Sequence, residues 1–302
     1  MPTAAALMLA AAAAATPATA QTLDDGFVLP RRVVRATVDY GAERWDRYWE
    51  GTRLRDNGNI GTLTTRSVTW AAGYGVTGRL SLFAALPYVT THASQGVLRG
   101  QRGAQDVTVA AKYQLLSARV AGRTAVGVLA LAGVGAPASR YTPDFLPMSI
   151  GLGARRALAR AVVHAQDRSG LFVEGAAGHT WRSTVHLDRP AYYTSGQLVL
   201  SDEVAMPDVA DYALGGGYQN ARWCVPVMLV AQRTLGGGDI RRQDMPFVSN
   251  RMDFARLQAR VMYTLPNAPG VQLQAGAMRT LAGRNVGRAT ALSGGATLAF
   301  RL

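Results

Sequence analysis

The chain has 302 residues, 48% of them hydrophobic, with 33 glycines, one cysteine and a formal charge of +13. The single cysteine, Cys224, excludes an intramolecular disulfide and a cysteine-cluster metal site. The charge is almost wholly arginine, Lys112 being the only lysine, and the arginines are scattered rather than clustered as a nucleic-acid footprint would be.

Residues 1–20 read as a secretory signal. An Ala-rich apolar core precedes Pro17, and Ala18-Thr19-Ala20 fits a small-x-small cleavage site. The mature chain is then expected to begin at Gln21 and to meet no nucleic acid. No Lys or Arg precedes the core, so a membrane anchor is the alternative. Beyond it no run is apolar enough for a spanning helix.

Gln21–Pro30 reads as a short polar lead. Val33–Gly41 alternates Val34, Ala36, Val38 and Tyr40 against Arg35, Thr37 and Asp39, the period of a strand. A charged, aromatic loop, Glu43–Gly61, follows. Thr65–Val89 is a hairpin turning at Thr77-Gly78, with apolar side chains on one face of both arms. Each arm has about ten residues, enough for a tilted strand to cross a bilayer. After a second long loop, Asp106–Leu116 alternates again. Thr124–Val134 is a strand whose two faces are both apolar or Gly, so its faces stay unassigned. Gly135–Ser149 is a third long loop.

Arg155–Gln166 is rich in Ala, Leu and Arg, which favours helix, but its alternation permits a strand. The short turn Asp167–Gly170 before Leu171–Trp181 makes the strand the reading taken. Arg182–Pro207 is a fourth long loop. Asp208–Tyr218, Arg222–Thr234, Asp253–Tyr263, Val271–Thr280 and Ala289–Leu302 complete the alternating segments.

This predicts an all-β fold of about twelve antiparallel strands with alternating short and long links, the pattern of a single transmembrane β-barrel with short periplasmic turns and long outer loops. Residues 21–302 would form the barrel. Trp70, Tyr74, Tyr88, Tyr113, Trp181, Tyr212, Tyr218, Trp223 and Tyr263 fall near strand ends, as aromatic girdles do. A soluble β-sandwich is the competing architecture, since its strands also alternate.

Gly73–Val89, GYGVTGRLSLFAALPYV, and Gly103–Leu116, GAQDVTVAAKYQLL, resemble consecutive strands of the outer-membrane family called MetA-pathway of phenol degradation proteins; SIGLGA at Ser149–Ala154 also fits in position. The match covers about a sixth of the chain. Gly78 departs from the Asp or Asn usual in that turn, and positive φ would explain the glycine. Arg155–Gln166 departs by its Ala and Arg content. The resemblance implies an outer-membrane channel or uptake protein, sometimes associated with aromatic degradation, and no catalytic site.

The residues themselves carry no catalytic motif and require no cofactor or metal. His92, His164, His179 and His186 have no metal-site spacing. His92-x-Ser94 would be a lipid-hydrolase pair only with a third residue that the sequence does not place. The functional candidates are polar residues expected to face the lumen: Arg35, Lys112, Arg160, Glu174, Arg256, Arg260 and Arg301. Such cations would favour anions in a passage, or would pair internally and plug it. In the 155–181 hairpin, Glu174 is expected diagonal to Arg160 and able to neutralise it. Loop residues Arg53, Arg55, Arg99, Arg102, Arg241 and Arg242 could grip lipopolysaccharide phosphates or be ordinary solvated charge. The partners expected are outer-membrane lipid and lipopolysaccharide, the barrel-assembly machinery and an unidentified small solute. A non-conducting structural or adhesive barrel is the alternative.

Overall fold

The structure, a computed structural model, describes residues 25–194, 196–241 and 246–302. The signal reading of residues 1–20, and Arg242, lie outside them. Twelve long strands follow one another: β1 (Val33–Trp45), β2 (Leu63–Gly75), β3 (Leu80–Ala93), β4 (Asp106–Val120), β5 (Thr124–Pro137), β6 (Arg156–Gln166), β7 (Leu171–Arg182), β8 (Val209–Gln219), β9 (Trp223–Thr234), β10 (Asp253–Leu265), β11 (Ala268–Arg284) and β12 (Thr290–Arg301). Each pairs antiparallel with the next. Strand β12 returns to β1, with Val38 opposite Ala296 on that side and opposite Trp70 of β2 on the other. The sheet is therefore closed, and no long edge is left unpaired. Arg102–Ala104 adds a short strand beside β3.

Closure explains the side-chain pattern. Outward positions stay exposed and apolar: Val38, Trp70, Val109, Val173, Leu214, Leu257 and Leu292 among them. In water so continuous an apolar belt would drive association, whereas against hydrocarbon it is matched. Eight of the nine expected girdle aromatics are exposed on this belt, and Tyr263 packs 4.4 Å from Trp223.

Arg156–Gln166 is a strand, so alternation overrides its helical composition. The faces of β5 are now assigned: Leu129 and Leu131 are buried inside, while Val134 is exposed outside. Strand β4 runs past the expected Leu116 through a bulge between Gln114 and Leu116, and both Leu115 and Leu116 are exposed there. The 76–79 turn does not use positive φ at Gly78. Instead Thr77 Oγ1 accepts from the amides of Arg79 and Leu80, at 3.1 and 2.9 Å. Strand β11 continues past the expected Thr280 to Arg284, which leaves only residues 285–289 before β12.

Short links at 76–79, 121–123, 167–170, 220–222 and 266–267 gather at one end of the barrel. The long segments 46–62, 94–105, 138–155, 183–208 and 235–252 gather, in their described residues, at the other. They pack as a cap. Val185, Leu187, Val204, Met206, Phe247 and Val248 form one buried cluster, with Tyr192 stacked on Phe247 at 5.0 Å. Ile60, Leu63, Ala93 and Met148 form another.

Candidate functional site

The lumen is filled on one side and open on the other. On the filled side the inward residues of β3 to β6 are large. Phe83, Leu129, Leu131 and Val162 are all buried. Lys112 is fully buried among them, 5.2 Å from the Phe83 ring centroid.

A buried ammonium needs a partner, and the N-terminal lead supplies one. Lys112 Nζ donates to the Asp25 carbonyl at 2.8 Å and to Asp25 Oδ1 at 3.0 Å. The next residues are held in turn. Gly26 N–H donates to Glu174 Oε2 at 2.7 Å, and Leu29 N–H to Ser81 Oγ at 2.8 Å. Phe27 lies edge-on to His164, with centroids 4.6 Å apart. A Cβ at Gly26 would collide with His164, so only glycine lets the lead lie this close. Leu29 packs with Val33 and Phe83. The lead leaves the lumen at the short-turn end, where Arg32 N–H donates to the Gly75 carbonyl at 2.7 Å and the Arg32 carbonyl accepts from Leu302 N–H at 2.9 Å.

Above this plug is a cavity of about 510 Å³. Its floor is Asp25, Phe27, Phe172 and Glu174, and its walls include Met228, Met262, Met278 and Cys224. The polar lining is largely paired. Arg160 Nη2 lies 2.6 Å from Asp211 Oδ2. Gly178 stands between their strands, opposite both residues in register, and a Cβ there would lie 2.8 Å from Asp211 Oδ1. The missing side chain is what lets the pair reach across. Glu174 does not neutralise Arg160. It sits directly opposite His164 and bonds its Nδ1 at 3.0 Å, a position set by the register of β6 and β7.

Of the seven expected lumen residues, Arg160, Glu174 and Arg260 meet at the cavity. Lys112 is sealed beneath the plug. Arg35 is only 4% exposed and donates to Gln272 Oε1 at 2.8 Å. Arg256 lies nearer the long loops, its guanidinium 4.0 Å from the Phe254 ring centroid. Arg301 is exposed at the end of β12. The cations thus do not form one continuous ring.

At the cap, Tyr141 reaches down to Asp106. Its hydroxyl donates to Asp106 Oδ1 at 2.7 Å and accepts from Gly153 N–H at 3.1 Å. Burial, and then the Asp106 carboxylate, push the Tyr141 hydroxyl above its ordinary pKa. Arg156 closes the group at 3.0 Å from Asp106 Oδ2. His92 and Ser94 are both exposed; Ser94 Oγ accepts from Thr62 N–H at 2.8 Å, and no described carboxylate bonds His92.

The sequence reading gave Gln21–Pro30 only as a short polar lead and did not place it in the lumen. One signal was available: Phe27, Val28 and Leu29 follow Asp24-Asp25, and a solvated tail has no need of three apolar residues. It also missed Asp211 and Tyr141, whose partners are set by register and loop packing.

No family model matches the chain, and no curated protein matches it in sequence. Among solved structures it is similar to an outer membrane channel from Pseudomonas putida, with TM-score 0.72 and 18% identity over 91% of this chain and 98% of that one. It is also similar, more loosely, to the NanC porin, with TM-score 0.48 and 10% identity over 88% of this chain and 100% of that one. At this identity the likeness to the Pseudomonas protein establishes the fold: a closed antiparallel barrel of the outer-membrane type.

Proposed function

We propose that the protein is an outer-membrane channel or uptake protein for small hydrophobic or aromatic solutes. It is exported by residues 1–20, assembled by the barrel-assembly machinery, and surrounded by lipid and lipopolysaccharide at its apolar belt. The observation that carries this reading is the cavity inside the barrel, walled by Met and Phe and closed below by the lead. A space of this size and lining suits a small organic molecule better than a stream of hydrated ions. Passage then requires the solute to bind first and the lead to yield, with no cofactor and no catalytic step.

The plug also favours a second reading, a barrel that conducts nothing and serves as a surface protein. Planar-bilayer recordings on the mature chain and on a chain starting at Arg31 separate the two, together with uptake of an aromatic solute into proteoliposomes. Low conductance in the mature chain, a large rise on truncation, and solute uptake by the mature chain support the channel. Absence of both conductance and uptake in the two chains overturns it.

A further inference from the structure

The polar groups around the cavity are not equally provided for. Asp211 has Arg160, Glu174 has His164, and Asp25 has Lys112. Glu43, at the long-loop side of the cavity, lies within Coulombic reach of Arg256. Arg260 differs. It lines the cavity yet makes no hydrogen bond or ion pair with any described residue. Its closest electrostatic company includes another cation, Arg35, near enough for the two to repel.

The wall beside Arg260 leaves room for something to meet it. In register, Arg260 stands opposite Gly276, Gly276 opposite Ser293, Ser293 opposite Gly41, and Gly41 opposite Ser67. Four successive neighbours across the sheet thus carry no side chain or only a hydroxymethyl group. Around this bare strip stand Met228, Met262 and Met278. Thioethers are polarisable and pack well against aromatic rings.

From this juxtaposition we infer that Arg260 anchors a subsite for aromatic carboxylates. The guanidinium would take the carboxylate through two parallel N–H···O bonds, and the ring would lie among the three methionines. This inference rests on the solute-binding reading above and narrows it to acids.

The test uses the full mature protein in phosphatidylcholine nanodiscs and two probes of nearly equal shape, benzoate and benzamide, titrated at neutral pH. The wild-type protein should bind benzoate at least about tenfold more tightly than benzamide, the step expected when a charge-assisted bidentate pair replaces neutral contacts. Arg260→Gln should abolish that preference by weakening benzoate far more than benzamide, while Arg260→Lys should retain part of it. Because Arg260 bonds no described residue, its replacement should leave heat-modifiable gel migration unaltered, which checks folding. Equal binding of the two probes by the wild-type protein, or equal losses in Arg260→Gln, overturns the subsite while leaving the solute-binding reading in place. Binding of neither probe overturns both.

Discussion

Lys112 and Asp25, 87 positions apart in the chain, meet at 3.0 Å inside the barrel. One is the chain's only lysine and the other belongs to the lead. Together they convert a strand residue and a tail into a latch.

Breaking the latch should open the lumen without dissolving the wall. Asp25→Ala removes the carboxylate 3.0 Å from the fully buried Lys112 ammonium while keeping the Asp25 carbonyl that also accepts from it, so the loss at the plug should stay below the roughly 3–5 kcal/mol of a buried charge stripped of its partner. The expected outcome is a rise in single-channel conductance with heat-modifiable migration unchanged. Conductance equal to wild type would show that the lead stays seated on its remaining bonds to Glu174 and Ser81.

The pair Arg160 and Asp211 can be made to report on the cavity. Asp211→Ala removes a carboxylate from the edge of the cavity. Reversal potential under a salt gradient should shift toward anion preference, since the lumen lining becomes more positive and selects by charge. Arg160→Ala, leaving Asp211 unpaired, should shift it the other way.

Gly178 sits between that pair. Gly178→Val places branched carbon where Asp211 Oδ1 now lies, 2.8 Å from the position of an added Cβ. A loss of about 1–3 kcal/mol is expected, the range for overpacking, read as a lower thermal midpoint. In an Asp211→Ala background the same change should cost less, because the crowded carboxylate is gone.

The cap carries its own pH dependence. Asp239 in the 235–252 loop is held below the usual carboxylate range, first by hydrogen bonding to Arg284. Arg284 Nη2 lies 2.6 Å from Asp239 Oδ2, and Asn285 Nδ2 donates to Asp239 Oδ1 at 2.8 Å. A lowered folded-state pKa gives stability that is present above the unfolded value, near about 3.9, and lost as pH falls through the folded one. Proteolysis of this loop by an acid-active protease should therefore accelerate as pH drops below 4, roughly. Arg284→Ala should flatten that response.

The barrel was legible because its outer face meets one solvent throughout. Val38, Tyr40, Trp70 and Leu214 all answer the same demand, so period two survives on strand after strand. The inner face answers several demands. Leu129 and Leu131 fill the lumen while Ser67, Ser293 and Gly276 leave it open, so no single inward residue type marks that face. That is why β5 looked apolar on both sides. Partners inside were harder still. Glu174 bonds His164 and not Arg160 because a register fixes which residues stand opposite, and register belongs to pairs of strands rather than to either strand alone. The seat of the lead was not legible for a related reason: its contacts with Ser81, Lys112 and Glu174 are with residues 52 to 148 positions away.

Those distances bear on how the molecule is made. Ser81 is on β3, Lys112 on β4 and Glu174 on β7, and Arg32, where the lead joins the wall, is tied to Leu302 at the far end of the chain. Ser81 and Lys112 stand opposite each other on neighbouring strands, but the socket is complete only when the sheet has closed and Leu302 meets Arg32. The segment that precedes every strand in the sequence therefore completes its contacts only after all of them are joined.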